Sequence, residues 1–199
     1  MGKYSASLVS RLDSSSYCSQ DWTVIKELES VTLSPMNICF AKKTQKYPLK
    51  NRALLLKTIE KIAEYSGLPS LLPQNTPIEL AVVLIDDDEI TEINEQYLQH
   101  EGPTDVISFD YLEDFEPETV DDECPFTVGE LYISLDTALR QGEEYGKTLN
   151  DELLLYIAHG ILHLCGYDDH CEEDIKEMRE AEQRVLKQLH DEIGEVVVI

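Results

Sequence analysis

Residues 153–174 read LLLYIAHGILHLCGYDDHCEED and contain three of the chain's five histidines. His159 and His163 are four residues apart in a run of helical character, so both imidazoles project from one side of a helix. Nitrogens placed in this way converge on one metal ion at about 2.0–2.1 Å each, the distance zinc prefers. A straight helix cannot bring a third side chain into the same tetrahedron, so a third ligand has to come from beyond it. Gly166 permits a sharp turn, and Asp169 and His170 follow it. Three protein ligands and one open position describe a catalytic zinc site, where bound water ionises near neutral pH and the ion polarises a substrate oxygen. One histidine on an apolar face reads as a core residue satisfied by its neighbours. Two at this spacing, with a glycine turn and a third histidine behind them, point to a metal.

A metal-dependent protease of the H-E-x-x-H type carries its general base one residue after the first histidine. That place is Gly160 here. The metal pattern is kept and the peptidase base is absent, so a different substrate is indicated. Asp168 and Asp169 are the nearest acids and the expected acid–base groups.

These side chains need elements to hold them. MNICFA, from Met36, reads as a strand. Leu55, Ile59 and Ile62 recur at helical spacing, and Gly67 marks a stop. IELAVVLI (78–85) is a buried strand. DDDEITEINEQYL is a helix opened by an aspartate cap, with Ile90, Ile93 and Tyr97 on one face. DVISFDYL and VGELYIS read as strands, separated by the acidic, two-proline stretch EDFEPETVDDECPF, a solvated loop. LDTALRQGEEYG is a helix. Asn150 is the expected cap of the histidine-bearing helix. A charged helix at about 171–190 carries i,i+4 pairs such as Glu172–Lys176 and Glu180–Arg184 and reads as a solvated, stabilising helix. The order predicts an α+β domain in which a mixed sheet of about four strands packs with some five helices. The domain is expected over 36–190, with a serine-rich, poorly ordered extension at 1–35 and a C-terminal tail at 191–199 that could also form an edge strand.

Composition sets limits on the partner. Five scattered cysteines with no C-x-x-C pair argue for a reducing compartment. No apolar run is long enough for a membrane span. We therefore expect a cytoplasmic protein, with organellar targeting by the extension as the alternative. The net charge of −24 opposes non-specific binding to nucleic acid. The charges are segregated, however: seven of sixteen basic residues lie between Lys42 and Lys61, and none from Ile62 to Leu139. A local positive surface is therefore compatible with an acidic whole.

HGILHLCGYDDH resembles the H-G-x-L-H-L-x-G-Y-D-H signature of the YbeY family of endoribonucleases. PTDVISF (103–109), NEQY (94–97) and GELYIS (129–134) resemble further segments of that family, in the same order. The resemblance covers roughly Met36 to His190. It implies an α+β fold, one zinc ion held by three histidines, and cleavage of single-stranded RNA in small-subunit ribosomal RNA maturation and ribosome quality control. It also implies the small ribosomal subunit and its assembly factors as partners. On this resemblance His159, His163 and His170 are the metal ligands.

Two departures stand out. The family pattern has one aspartate before its third histidine and this chain has two, so without a gap Asp169 falls on the ligand position and His170 one residue late. A loop can absorb one residue and nitrogen suits zinc, which favours His170; carboxylate is also a zinc ligand, which leaves Asp169 open. Many members carry an arginine directly after NEQY, associated with RNA binding or cleavage; here it is Leu98. The expected phosphate-binding cations are Lys43, Lys46, Arg52 and Arg140. Thr104, Asp105 and Ser108 either support the site or only shape the entry to a strand. Two other readings stay open: a metal-stabilised ribosome-assembly factor with little or no nuclease activity, and a metal-dependent hydrolase of peptides or amides.

Overall fold

The computed structural model describes residues 36–121 and 124–199. The expected N-terminal extension, 1–35, lies outside the described residues. Four strands, β1 (Met36–Lys42), β2 (Ile78–Ile85), β3 (Val106–Asp110) and β4 (Phe126–Ser134), form one sheet in the order β1-β2-β4-β3. β1, β2 and β4 run parallel, and β3 is antiparallel to β4 at the edge. The mixed four-stranded α+β expectation is met.

Five α-helices accompany the sheet among the described residues: α1 (Arg52–Ser66), α2 (Asp87–Ile93), α3 (Leu135–Tyr145), α4 (Leu149–Leu164) and α5 (Glu172–Ile193). Leu55, Ile59 and Ile62 of α1 are fully buried, as their spacing predicts. The Asn51 side chain accepts from Leu54 N–H at its start, and Gly67 closes it at φ +85°, a left-handed conformation that glycine adopts without a Cβ clash. β2 is buried along nearly its whole length, since it lies inside the sheet and is covered on both faces.

α4 is the central helix. It packs against β3, β4, α1, α3 and α5. Its composition explains this: LLLYIAHGIL is apolar nearly all round, which suits a helix with neighbours on every side. Thr148, not Asn150, is its cap, in a reciprocal capping box with Asp151. Asn150 is buried and binds the end of the chain instead. Its amide donates to the Val196 carbonyl, and its Oδ1 accepts from Val198 N–H (2.9 Å) and Ile199 N–H (3.2 Å). Val196 and Val198 are thereby buried in the main core.

On the opposite face of the sheet α2 covers a smaller cluster of Val83, Ile85, Ile90 and Ile107. The helix expected over DDDEITEINEQYL ends at Ile93 and continues as one π-helical turn, Asn94–Leu98. Leu98, where the resemblance implies an arginine, packs on this cluster. Its side chain therefore belongs to the apolar packing of the sheet.

Candidate metal centre

α4 carries both histidines on the side facing α5 and the turn that follows α4. His159 is buried, and its Nδ1 lies 2.7 Å from Oε1 of Glu182 on α5. His163 Nδ1 donates to the carbonyl oxygen of Tyr167 at 2.8 Å. That carbonyl is held in place because Tyr167 N–H donates to Leu162 O (3.1 Å) as the chain turns through Gly166, at φ +86°. A carbonyl only accepts, so the proton of neutral His163 is on Nδ1, and the Glu182 carboxylate likewise accepts from His159 Nδ1.

The two Nε2 atoms face each other, 3.0 Å apart. Burial, and then the neighbouring His159, hold the His163 imidazole at about 4, so it is neutral near pH 7. Two ring nitrogens this close have either a shared proton or a cation between them. Two nitrogens bound tetrahedrally to one ion at about 2.0–2.1 Å are about 3.3–3.4 Å apart, close to what is seen. The pair therefore fits a metal ion, and the carboxylate behind His159 is the kind of outer partner that fixes a metal-bound imidazole.

Of the acids after the turn, Asp169 faces the histidines. It is buried, its Oδ2 is 3.8 Å from His159 Nε2, and the ligand atoms of His159, His163 and Asp169 all lie within 4.8 Å of one another. Burial pushes its carboxyl above the usual range, and the nearby Asp168 and Asp105 act in the same direction. His170 faces outward. Its side chain is 52% exposed and its Nδ1 is bonded to Asp168 Oδ1. The structure thus brings Asp169, and not His170, to the histidine pair.

The expected phosphate-binding cations have mixed surroundings. Lys46 is held by Asp136 (2.7 Å) and Asp86 (3.7 Å), and Arg140 by Asp87 (2.7 Å). Lys43 is exposed, and the guanidinium of Arg52 stands 5.9 Å from the Phe40 ring centre. Asp105 is used locally: its Oδ1 accepts from Val106 N–H (3.0 Å) and Thr104 Oγ (3.1 Å), shaping the entry to β3.

Glu182 escaped the sequence reading, which took α5 as a solvated helix. The signal was present. Met178, Ala181, Val185 and Leu189 form the buried stripe of α5, and Glu182 is an acid beside it, four residues after Met178. The surface pairing also differs from the expected one: Lys176 meets Glu180 (3.8 Å), and Arg184 donates to Tyr167 Oη (3.4 Å).

Comparison with known proteins adds sequence likeness to this geometry. A family model described as Endoribonuclease YbeY matches residues 37–190. Similar proteins called Endoribonuclease YbeY include one from Bacillus cereus strain B4264, 36% identical over 152 residues, covering 75% of this chain and 94% of the relative. Another, from Lachnoclostridium phytofermentans, is 34% identical over 169 residues, covering 78% of this chain and 98% of the relative. A solution structure of a Thermotoga maritima protein overlaps at a TM-score of 0.47 with 25% identity, covering 80% of this chain and 96% of that one.

Proposed function

The chain belongs to the YbeY endoribonuclease family, and from that premise we propose that it is a zinc-dependent, single-strand-specific endoribonuclease of small-subunit ribosomal RNA maturation and ribosome quality control. It acts in the cytoplasm, on the small subunit and with its assembly factors. Among the described residues no helix is long and apolar enough to cross a membrane.

The observation that carries this reading is the 3.0 Å approach of the two Nε2 atoms, each imidazole fixed from behind. His159 and His163 would hold the ion, with a third donor from residues 168–170. A divalent ion there supplies Lewis-acid stabilisation of charge on a scissile phosphate. Glu182 and the Tyr167 carbonyl keep both imidazoles oriented before substrate arrives, so no reorganisation is needed at the moment of reaction. Asp168 and His170 share a hydrogen bond at the exposed rim, where a proton can be held between Oδ1 and Nδ1 for a leaving oxygen. Lys43 and Arg52 are the cations proposed to meet RNA phosphates, because carboxylates already hold Lys46 and Arg140.

The test is metal analysis and RNA cleavage on the purified protein and on His163→Ala. Metal bound by the first and lost from the second, together with loss of cleavage of a single-stranded ribosomal RNA fragment, is expected. Cleavage that persists after chelation would refute the reading.

One observation favours a second reading, an assembly factor with little nuclease activity: Leu98, where the family resemblance implies an arginine, packs against the apolar cluster. Full rescue of ribosomal RNA processing by a folded, metal-free His163→Ala protein would select it.

A further inference from the structure

We infer that the third protein ligand is the carboxylate of Asp169 and not the imidazole of His170, so that this chain binds its divalent cation in a two-histidine, one-carboxylate donor set. The inference rests on the metal reading above.

Three observations carry it. The ligand atoms of His159, His163 and Asp169 form one group within 4.8 Å, whereas His170 groups only with Asp168 and Asp169. The Asp169 side chain is 6% exposed, and its Oδ1 is buried with no hydrogen-bond partner among the described residues. Leaving a buried carboxylate oxygen unsatisfied is unfavourable, and a cation beside it removes that cost. His170 has no such need, because it is half exposed and already bonded to Asp168.

The turn explains why the inward position goes to 169. Tyr167 is held to the end of α4 through its N–H and its carbonyl, which leaves little play in the next two residues. Asp169 N–H then donates to Asp168 Oδ1 at 2.8 Å, fixing Asp168 toward solvent and Asp169 toward the histidines. Cys171 caps α5 immediately afterwards, so His170 has no slack to turn inward.

The donor set therefore carries one negative charge, where three imidazoles carry none. Zinc accepts both kinds of set. Carboxylate in place of imidazole suits manganese(II) and iron(II) better.

The test strips full-length protein with a chelator and titrates zinc, then manganese, against a chromophoric competitor. Circular dichroism melts check folding. Wild type, Asp169→Ala, Asp169→His and His170→Ala are compared. We expect Asp169→Ala to weaken zinc binding by at least about 100-fold, above the range for loss of an outer-shell partner. His170→Ala should stay within about threefold, and Asp169→His should keep zinc but favour it further over manganese. Should Asp169→Ala fail to fold, His170→Ala still decides, since that residue is exposed. Loss of zinc from His170→Ala overturns the inference while the metal reading stands. Absence of zinc binding by wild type would instead remove the metal reading itself.

Discussion

Ser108 Oγ donates to the carbonyl oxygen of Gly160 at 3.3 Å, where β3 meets α4. A Cβ at position 160 would lie 2.9 Å from Leu131 Cδ2, 3.0 Å from Ser108 Oγ and 3.2 Å from Val106 Cγ2. The glycine in the place of a protease glutamate is therefore held by helix–sheet packing. The peptide-hydrolase reading loses its base for a steric reason. We expect Gly160→Ala to destabilise by up to about 2 kcal/mol in urea unfolding, since an overpacking cost of about 1–3 kcal/mol is offset by a gain of about 1 kcal/mol in helix propensity. A stabilised variant would show that the interface has room to spare.

Glu182 should act through His159. Glu182→Leu removes the acceptor at Nδ1 and frees the imidazole to rotate and change tautomer, and we expect zinc affinity to fall by about 10–100-fold. Glu182→Gln can still accept through its amide oxygen and should lie between wild type and Leu. Competition titration against a chelator reads both. Equal affinities in all three proteins would remove Glu182 from the site.

Phosphate contacts can be sorted by salt dependence. Reversing Lys43 and Arg52 to glutamate should lower the salt slope of single-stranded RNA binding by about 1.4, at about 0.7 per contact. The same change at Lys46 and Arg140 should alter stability more than slope, because these side chains answer Asp136 and Asp87. A slope that moves only with the second pair would reverse this assignment.

Asp87 ties α2 to α3. It accepts from Ser134 Oγ (2.6 Å), Thr137 Oγ (2.7 Å) and Arg140 (2.7 Å). Burial alone would raise its pKa, but these hydrogen bonds outweigh it and hold the carboxyl below the usual range. With the folded value depressed, the unfolded chain takes up the proton first on acidification. The stabilisation is complete above about pH 4 and is lost as pH falls through the folded value. Asp87→Asn should cost about 1–2 kcal/mol at pH 7, discounted for the half-exposed Arg140. The gap in urea midpoint should hold from pH 7 to 5 and shrink at pH 3; a gap that widens with acid would contradict the sign.

Asn150 closes the chain onto the core. Asn150→Ala leaves the Val196 carbonyl and the Val198 N–H without their buried partner. A loss of about 2–3 kcal/mol is expected in urea unfolding. Deleting residues 195–199 should cost at least as much, because Val196 and Val198 leave the core. A truncated chain of unchanged stability would show that this segment contributes nothing.

Local patterns determined much of this molecule. Helical spacing in α1, the caps at Asp86 and Gly67, the apolar run of β2 and the histidine pair with its glycine turn are all properties of a few consecutive residues. Each is readable because periodicity and backbone preference act at short range. The tertiary structure alone decided the rest. β3 lies antiparallel at the edge, and Asn150 is a clamp on the chain end while Thr148 is the cap. Glu182 comes to His159 from 23 residues away. Asp169 faces the pair and His170 faces solvent, beyond a turn held by the bonds of Tyr167 to α4. Lys46 and Arg140 meet acids from distant segments. Such outcomes depend on which surfaces meet across the fold, and no window of neighbouring residues contains that information.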